Sequence, residues 1–356
     1  MTVIEDLLAG QRGRRFCWEL VVATVTEPSD DDTLFWARHR LDQRRGSGGV
    51  LFGPGAAGPH PDPSSAQVVA AYGAVLDAGD PAAVTLDQAL AALGRTADSA
   101  MWWQEPDADD VLLDTVVPRT LLARAADAAV RSPGLRALSA PPAQEWAVVP
   151  DTPGHGGPEL PAPELLAAWR RELLVERAHG RKDPVDASIS GTWWTTPPSG
   201  LLETTSDPGG RGPLALWAVE DHTGWERAEV TPVAVDPTAR IVTIDDGEDW
   251  AALCRRFPFD VSTTTRRHDW WRATGRDGDW VVPDWAAVAE RYDAVHLTLR
   301  GWLRSSGTAI PVDDRTASVI AGWTPGATVW LRDPRPTPGA ASTWAWNDDR
   351  SGWFPA

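Results

Sequence analysis

The nonapeptide DWAALCRRF at residues 249–257 returns in slightly altered form as DWAAVAERY at residues 284–292. In both copies the apolar residues fall at positions i, i+3, i+4 and i+7, the spacing that lines one face of an α-helix. An Asp opens each copy, where its side chain can accept from the free amides of the first turn, and Arg lies near each end, where the helix dipole favours a cation. We therefore expect two short amphipathic helices, beginning at Asp249 and Asp284.

A strand-like run follows each copy. The first run covers residues 259–265, and in the second, residues 295–300, apolar and polar residues alternate. Such alternation is typical of a half-buried β-strand. The sequence thus predicts a helix–strand unit used twice. Two copies are too few for a solenoid, so both units are expected inside one globular domain.

Composition divides the chain into four parts. Residues 1–131 are Ala-rich and predicted to be a mostly helical N-terminal domain, and residues 132–163 are a Pro/Gly-rich connector. Residues 164–333 are predicted to form an α+β Trp-rich domain, followed by a Pro/Trp tail at residues 334–356. Because strands cluster instead of alternating regularly with helices, we expect the fold class α+β with a mixed or antiparallel sheet.

Periodicity and turn residues locate the individual elements. Helices are predicted at residues 3–8, 31–41, 65–76, 85–93 and 111–130, the last divided at Pro118, with one strand at 16–25. A further helix is expected to begin near Pro163. Strands are predicted at residues 191–196, 201–205, 214–219, 227–235, 239–244, 316–320 and 328–331. The tail either docks on its own chain or is a partner-binding segment.

Charge and cysteine content exclude several classes of protein. The 356 residues include 50 acidic and 33 basic side chains, a formal net charge of −17, so we expect no nucleic-acid partner. Cys17 and Cys254 are far apart in sequence and favour neither a disulfide framework nor a Cys-based zinc site. Since no run of 18 apolar residues and no secretory signal is present, we expect a cytoplasmic protein with no membrane partner.

Tryptophan is the most unusual component of the sequence. The chain has 21 Trp against 6 Phe and 2 Tyr, and the Trp are concentrated after residue 190. A single lysine and a single asparagine suggest a GC-rich genome, which explains part of this bias. The Trp residues are interpreted either as large core residues whose indole N–H groups find partners or as a stacking and cation-binding surface.

Basic residues gather in the second half of the chain. Residues 250–304 hold nine Arg against seven acidic residues in an otherwise acidic protein. Guanidinium groups match phosphate and carboxylate in a bidentate way, so this region favours an anionic ligand. Its densest part is residues 266–272, where we expect three Arg to hold the anion, two Trp to stack and one His to move protons: Arg266, Arg267, Arg272, Trp270, Trp271 and His268. The alternative is a solvated turn whose Arg pair with neighbouring Asp.

A second histidine is a candidate acid or base. His296 is expected to share a polar face with Thr298 and Arg300, because these residues alternate with apolar ones, and Asp293 lies nearby in sequence. Otherwise His296 is an ordinary satisfied histidine. No Gly-x-Ser-x-Gly, His-Glu-x-x-His or Cys-x-x-Cys motif is present, and no spacing favours a metal site. No cofactor can be named from the sequence.

Two further segments carry a weak family resemblance. RIVTID at residues 240–245 and VSTT at residues 261–264 resemble the early part of ADP-ribosyltransferases of the Arg, Ser-Thr-Ser, Glu type. The resemblance implies that Arg240 and Ser262 would hold NAD. It covers residues 240–264 and departs from the family pattern downstream, where Glu290 occurs without the usual Glu/Gln-x-Glu motif.

Three functional hypotheses follow from these patterns. The leading one is binding of an anionic small molecule at the Arg/Trp-lined site, with transferase chemistry as an extension. The molecule is expected to bear a phosphate or a carboxylate, and a nucleotide-like compound is one candidate. The main alternative is a non-enzymatic protein that binds a protein partner as an inhibitor, immunity or assembly factor, through the tail residues Trp344, Trp346 and Trp353. The third is an aromatic cleft for a sugar or a quaternary amine.

Overall fold

The N-terminal part of the protein is built from helices. The computed structural model describes residues 3–26, 31–46, 60–140, 144–151, 160–180, 183–220, 224–333 and 337–356. The helices of this part are α1 Val3–Ala9, α2 Gln11–Val22, α3 Thr33–Arg45, α4 Ser65–Ala78, α5 Leu86–Asp98, α6 Ala108–Thr115, α7 Arg119–Ala129 and α8 Pro133–Leu138. The predicted division at Pro118 is confirmed, because α6 ends and α7 begins on either side of it. None of the described helices combines the length and the apolar composition needed to span a bilayer.

Local caps explain where two of these helices begin. Ser64 and Gln67 form a reciprocal capping box at the start of α4, and Thr85 and Gln88 form another at the start of α5. Each box satisfies two amide groups that the helix itself leaves unpaired. These starts were therefore predictable from the sequence.

The predicted strand at residues 16–25 is wrong. Residues Gln11–Val22 form α2, whose side chains from Gln11 to Val21 are buried except Arg15. The polar residues Gln11, Arg12, Arg15 and Glu19 fall on one side of α2 at helical spacing, but the alternation of Trp18, Leu20 and Val22 also fits a strand. Its buried Arg12 is compensated by Asp110 of α6, with the guanidinium 3.0 Å from the carboxylate.

The remaining elements contain most of the strands. The helices are α9 Ala162–His179, α10 Leu214–Trp217, α11 Gly247–Arg256, α12 Arg266–Thr274, α13 Trp285–Ala289 and α14 Leu299–Ser305. The strands are β1 Glu145–Pro150, β2 Leu202–Ser206, β3 Arg227–Ala234, β4 Ile241–Ile244, β5 Pro258–Asp260, β6 Asp279–Pro283, β7 Ala294–Leu297, β8 Ile310–Pro311, β9 Thr316–Ser318, β10 Thr328–Trp330, β11 Thr337–Pro338, β12 Ser342–Asn347 and β13 Gly352–Pro355. The fold class is α+β, as predicted.

The larger sheet joins strands from distant parts of the chain. Its order is β13-β12-β3-β1-β2-β10-β7-β4, with β11 also paired to β3. Neighbouring strands are antiparallel except β4 and β7, which are parallel. β1 lies inside this sheet, although its residues belong to the predicted connector at residues 132–163. The connector is therefore not a linker over residues 145–150, and its residues 152–159 lie outside the described part of the chain.

The tail docks on its own chain, one of the two predicted alternatives. β12 pairs with β3 and with β13, so the tail forms one edge of the larger sheet, and residues 334–336 lie outside the described part. A smaller sheet has the order β5-β6-β9-β8. Two predicted strands are wrong: residues 191–196 are irregular, and α10 occupies most of residues 214–219, beginning directly after Pro213.

The two repeated nonapeptides form α11 and α13, as expected. Asp284 caps α13 by accepting from the Ala287 amide, but α11 is capped by Asp246 and begins before Asp249. The strand predicted at residues 259–265 ends after Asp260, because residues 261–265 form a turn that leads into α12. The strand predicted at residues 295–300 ends at residue 297, and residues 299 and 300 belong to α14.

Helices from both ends of the chain share one core. Apolar residues of α1, α2 and α5 belong to the same buried cluster as residues of α11, α13 and α14. Gly10 lies where α2 approaches α14, and a Cβ atom at this position would be 2.3 Å from the backbone oxygen of Leu303. Trp250, Trp285 and Trp323 are fully buried in this core with ring centroids 6.0–6.1 Å apart. For these residues the core interpretation of the Trp content is correct.

Candidate functional site

The Arg residues predicted to hold an anion at positions 266–272 lie on α12 and bind other parts of the chain. Arg266 is 3 % exposed, and its guanidinium is 3.0 Å from the Glu176 carboxylate. Burial lowers the pKa of Arg266. Arg267 donates to the backbone oxygen of Asp183, and Arg272 donates to that of Trp103. The predicted alternative, a solvated turn whose Arg pair with neighbouring Asp, holds for the pairing of Arg272 with Asp269, but the segment is a largely buried helix and not a solvated turn.

The aromatic residues of α12 face different surroundings. His268 is fully buried, with Nδ1 3.0 Å from the backbone oxygen of Val185. Trp270 is also fully buried and donates its indole N–H to the backbone oxygen of Trp193 at 2.7 Å. Trp271 is half-buried and lines a separate cleft of about 680 Å³ with Arg272. The helix separates these side chains, so the structure does not bring residues 266–272 together as one pocket.

The residues that carry the family resemblance have local structural partners. Arg240 binds Asp293 with both sides of its guanidinium, at 2.8 and 3.0 Å, and these hydrogen bonds lower the pKa of Asp293 to about 2. Asp293 precedes β7, whereas His296 lies toward its other end beside Thr243, so the predicted pairing of His296 with Asp293 is not formed. Ser262 lies in the turn after β5, not in a strand, and donates to Asp260.

Three of the other predicted site residues do meet at one cavity. His296 near the end of β7, Thr298 at the start of α14 and Arg300 within α14 line a cavity of about 460 Å³. The cavity lies between the sheet and the N-terminal helices α1 and α8. Its apolar lining consists of Leu7, Leu135, Leu138, Leu214, Leu299 and Leu303. Its remaining lining residues are Asp6, Ser139, Ala140, Glu145, Ser206, Arg304 and Gly326.

His296 and Thr298 are held in place by neighbouring side chains. Nδ1 of His296 is 2.9 Å from the hydroxyl of Thr328, and burial lowers the pKa of His296. The Thr298 hydroxyl donates to Asp245 at 2.8 Å and accepts from the amide of Gly301 at 2.9 Å, which caps α14. His296 therefore offers a neutral imidazole to the cavity near pH 7.

Two arginines and one aspartate form the charged wall of the cavity. Arg300 donates to Asp6 through Nε and Nη2 at 3.1 and 2.9 Å and is also paired with Asp245. Nη1 of Arg304 lies 3.0 Å from Asp6, while its Nε is buried and has no hydrogen-bond partner among the described residues. Asp6 of α1 thus contacts both guanidinium groups of α14, and Asp246 lies 3.9 Å from Arg304, while the Nε of Arg304 keeps a donor without a partner among the described residues.

Glu145 is the second carboxyl group of the cavity. It lies at the start of β1, and burial raises its pKa, although a hydrogen bond from Thr204 acts in the opposite direction. Its Oε2 atom is buried without a hydrogen-bond partner in the described part of the chain. A buried polar atom without a partner is rare in folded proteins, so this oxygen is suited to a ligand or a water molecule.

Sequence analysis missed Asp6, Glu145 and Arg304 as site residues. Glu145 belonged to the predicted connector, and Asp6 lies 294 residues before the Arg300 that it contacts. The one available signal was the short apolar run Trp146–Val149 after Glu145, which is consistent with a strand. Among the described residues, no group of three or more His, Cys, Asp and Glu side chains converges as a metal site.

The arrangement as a whole suits a small organic ligand. Binding sites of this kind are concave and mostly apolar, with a few placed polar groups, and typically measure about 300–1,000 Å³. The Leu-lined cavity has this size and character, with His296, Glu145 and the two Arg as its polar groups. The chain matches no protein-family model, and comparisons with curated proteins and with solved structures found no match.

Proposed function

We propose that the cavity between α1, α8 and α14 binds a small organic anion with an apolar body. The observation that carries this proposal is the meeting of a leucine-lined volume of about 460 Å³ with two Arg side chains. The apolar body would lie against the leucines, where removal of apolar surface from water is favourable. The carboxylate or phosphate would lie toward Arg300 and Arg304.

Charge supports an anion at this place. The lining side chains include two guanidinium groups and the Asp6 carboxylate, together with Glu145. Burial raises the pKa of Glu145, which favours its neutral form, although Asp245 beside Arg300 and Asp246 near Arg304 balance part of the positive charge of the wall. The unpaired Nε–H of Arg304 is a charged donor, and hydrogen bonds between a charged donor and an anion are among the stronger ones in proteins.

Transferase chemistry would be an extension of this binding function. His296 is the cavity group suited to accept a proton near pH 7, because burial keeps its pKa below the ordinary value. This role differs from the one expected at positions 266–272, where His268 is sealed in the core. Binding is the part of the proposal that can be tested first.

The test is a calorimetric binding panel with matched charged and uncharged compounds. Alkyl and aryl carboxylates, aryl phosphates and nucleoside monophosphates are each compared with the corresponding amide, alcohol or nucleoside. We expect at least one anion to bind the intact protein while its uncharged partner binds at least about tenfold more weakly, a difference of about 1.4 kcal/mol. Equal binding of both members, or no binding by any anion, would overturn the proposal.

A pair of Trp substitutions assigns the binding to this cavity. Ala140 is exposed at the cavity rim, so Ala140→Trp fills part of the cavity without disturbing the core. Ala340 is equally exposed but lies outside the cavity lining, and Ala340→Trp is the matched control. Loss of anion binding in the first variant alone supports the site, whereas unchanged binding in Ala140→Trp would move the ligand elsewhere.

A further inference from the structure

A second cleft lies on another side of the protein and is dominated by tryptophan. It has a volume of about 490 Å³ and opens between the C-terminal hairpin β12–β13, helix α10 and helix α5. Four Trp side chains line it: Trp217, Trp225, Trp346 and Trp353. Two of them come from the tail, which therefore builds a cleft on its own chain.

The rings in this cleft stand at steep angles to one another. The Trp346 ring lies 6.1 Å from those of Trp217 and Trp353, with interplanar angles of 73° and 74°. Trp217 donates its indole N–H to the backbone oxygen of Arg211, and Trp346 donates its own to Asp348. These bonds fix the orientation of both rings and use their N–H groups. Trp225 and Trp346 are half-buried and present π surface to the cleft, whereas Trp217 and Trp353 are more deeply buried beside them.

Charged side chains complete the lining. The carboxylates of Asp98 and Glu226 line the cleft, and Glu226 is exposed. Among the described residues of the lining, the cation is Arg95, which is engaged by Glu19 of α2, with Nε 2.7 Å from the carboxylate. The protein as a whole carries a net charge of −17. Both the local and the overall field therefore favour a cationic ligand over an anionic one.

We propose that this cleft binds an organic ammonium cation, of the quaternary or fully alkylated kind. The negative face of an indole ring attracts such a cation, and several rings set at steep angles can surround its methyl groups. Glu226 and Asp98 would add attraction at longer range. A sugar would instead need several hydrogen-bonding groups placed around one flat stacking face, which the crossed rings do not provide.

The probes are choline and tetramethylammonium, measured by indole fluorescence and by calorimetry. The decisive comparison is with 3,3-dimethylbutan-1-ol, which has the shape of choline without its charge. We expect choline to bind and the alcohol to bind at least several-fold more weakly. Equal binding of choline and the alcohol, binding of hexoses but not of choline, or no binding by either cation would overturn the proposal.

Substitutions on one strand locate the cation. Trp346→Leu removes one wall of the cleft and should weaken choline binding roughly 2- to 30-fold, the range expected for loss of a cation–π contact. Trp344→Leu, two residues away on β12 and outside the cleft lining, is the matched control and should leave the affinity unchanged. Glu226→Gln should weaken binding of choline but not of the alcohol.

The cation site and the anion cavity are separable. Thermal melting of each variant shows whether the fold is retained before affinities are compared. Ala140→Trp should leave choline binding intact, and Trp346→Leu should leave binding of the organic anion intact. If Trp346→Leu and Trp344→Leu weaken choline binding equally while both variants melt like the parent protein, the cation does not bind in this cleft.

Discussion

Replacing Glu220 should test how the two parts of the chain are joined. This side chain is 5 % exposed and lies at the centre of a network of donors. Its Oε2 accepts from the Trp102 indole at 2.9 Å and from the Gly322 amide at 2.6 Å. Its Oε1 accepts from the Trp302 indole at 2.9 Å and lies 3.0 Å from the Ser306 hydroxyl. One carboxyl group thus links the N-terminal helical part to α14 and to the segment before β10.

The protonation state of Glu220 follows from the same contacts. The Ser306 hydroxyl has one hydrogen, yet its oxygen lies 3.0 Å from Glu220 Oε1 and also 3.0 Å from the backbone oxygen of Ile320. If Ser306 donates to Ile320, Glu220 must be protonated to donate to Ser306. Burial raises the pKa of Glu220, which favours this neutral form, although Arg12 and the three N–H donors of Gly322, Trp102 and Trp302 act against it.

The magnitude can be worked out from the donors that lose a partner. Glu220→Ala leaves two indole N–H groups and one backbone N–H buried without an acceptor, and each such group costs about 1–3 kcal/mol. We therefore expect a loss of at least about 3 kcal/mol in the free energy of unfolding. Glu220→Gln keeps one acceptor oxygen but turns its NH₂ group toward at least one N–H donor, so about 1–3 kcal/mol should be lost.

The assay is urea unfolding followed by far-UV circular dichroism and indole fluorescence. Glu229→Gln, at an exposed position of β3, is the matched control and should change the free energy of unfolding by no more than about 0.5 kcal/mol. Because the folded pKa of Glu220 is raised, its stabilising contribution is complete below the ordinary value of 4.5 and is lost as the pH rises through the folded value. The difference in the free energy of unfolding between the unsubstituted protein and Glu220→Gln should therefore decrease as the pH rises. Equal stability of Glu220→Gln and Glu229→Gln at the lowest pH of the series, where Glu220 is protonated in the folded protein, would refute the reasoning.

Three further predictions concern packing, capping and pH. Gly10→Ala should lower the free energy of unfolding in urea by about 1–3 kcal/mol, because the new Cβ would lie 2.3 Å from backbone oxygens of α14. Gly73→Ala is the control: its Cβ would lie 3.7 Å from the nearest atom, so the substitution should be neutral or stabilising. Thr298→Val should lower the free energy of unfolding by about 1 kcal/mol, because it removes the hydroxyl that caps α14. Thr298→Ser keeps this hydroxyl and should retain most of that stability. If both variants lose the same free energy of unfolding, Thr298 does not act as a cap. An aryl sulfonate keeps its charge over the whole pH range, so it reports only on the protein. Its affinity in calorimetry should rise as the pH falls, because Glu145 loses its negative charge and His296 gains a positive one. Weaker binding at low pH would contradict this prediction.

Sequence reasoning worked where the signal was local. The capping boxes at Ser64 and Thr85, the division at Pro118 and the cap at Asp284 are all contained within a few residues, and the corresponding helices were predicted. It failed for α2, because the alternation of Trp18, Leu20 and Val22 also fits a strand, although the polar residues of this segment recur at helical spacing. It also failed for β1, since its place within the sheet depends on pairing with β2 and β3 far along the chain.

The candidate site shows the same division between local and distant information. His296, Thr298 and Arg300 were predicted to lie together and do so, because they are near neighbours in sequence, even though the strand ends before Arg300. Arg266 was predicted as an anion ligand, but its partner is Glu176 on α9, a contact across 90 residues that no local pattern encodes. The sequence showed which side chains carry a charge, but it did not show which residue each charged side chain contacts.

Both proposed sites lie where the N-terminal helices meet the rest of the fold. The anion cavity takes Asp6 from α1 and Glu145 from β1, and the cation cleft takes Arg95 from α5 and two Trp from the tail. Neither site could form within residues 1–131 or within residues 164–356 alone. A ligand that binds the folded state raises the melting temperature of the part that forms its site. Since each site spans the chain, either ligand should shift a single melting transition of the whole protein, and a ligand-insensitive second transition would show that the two parts unfold independently.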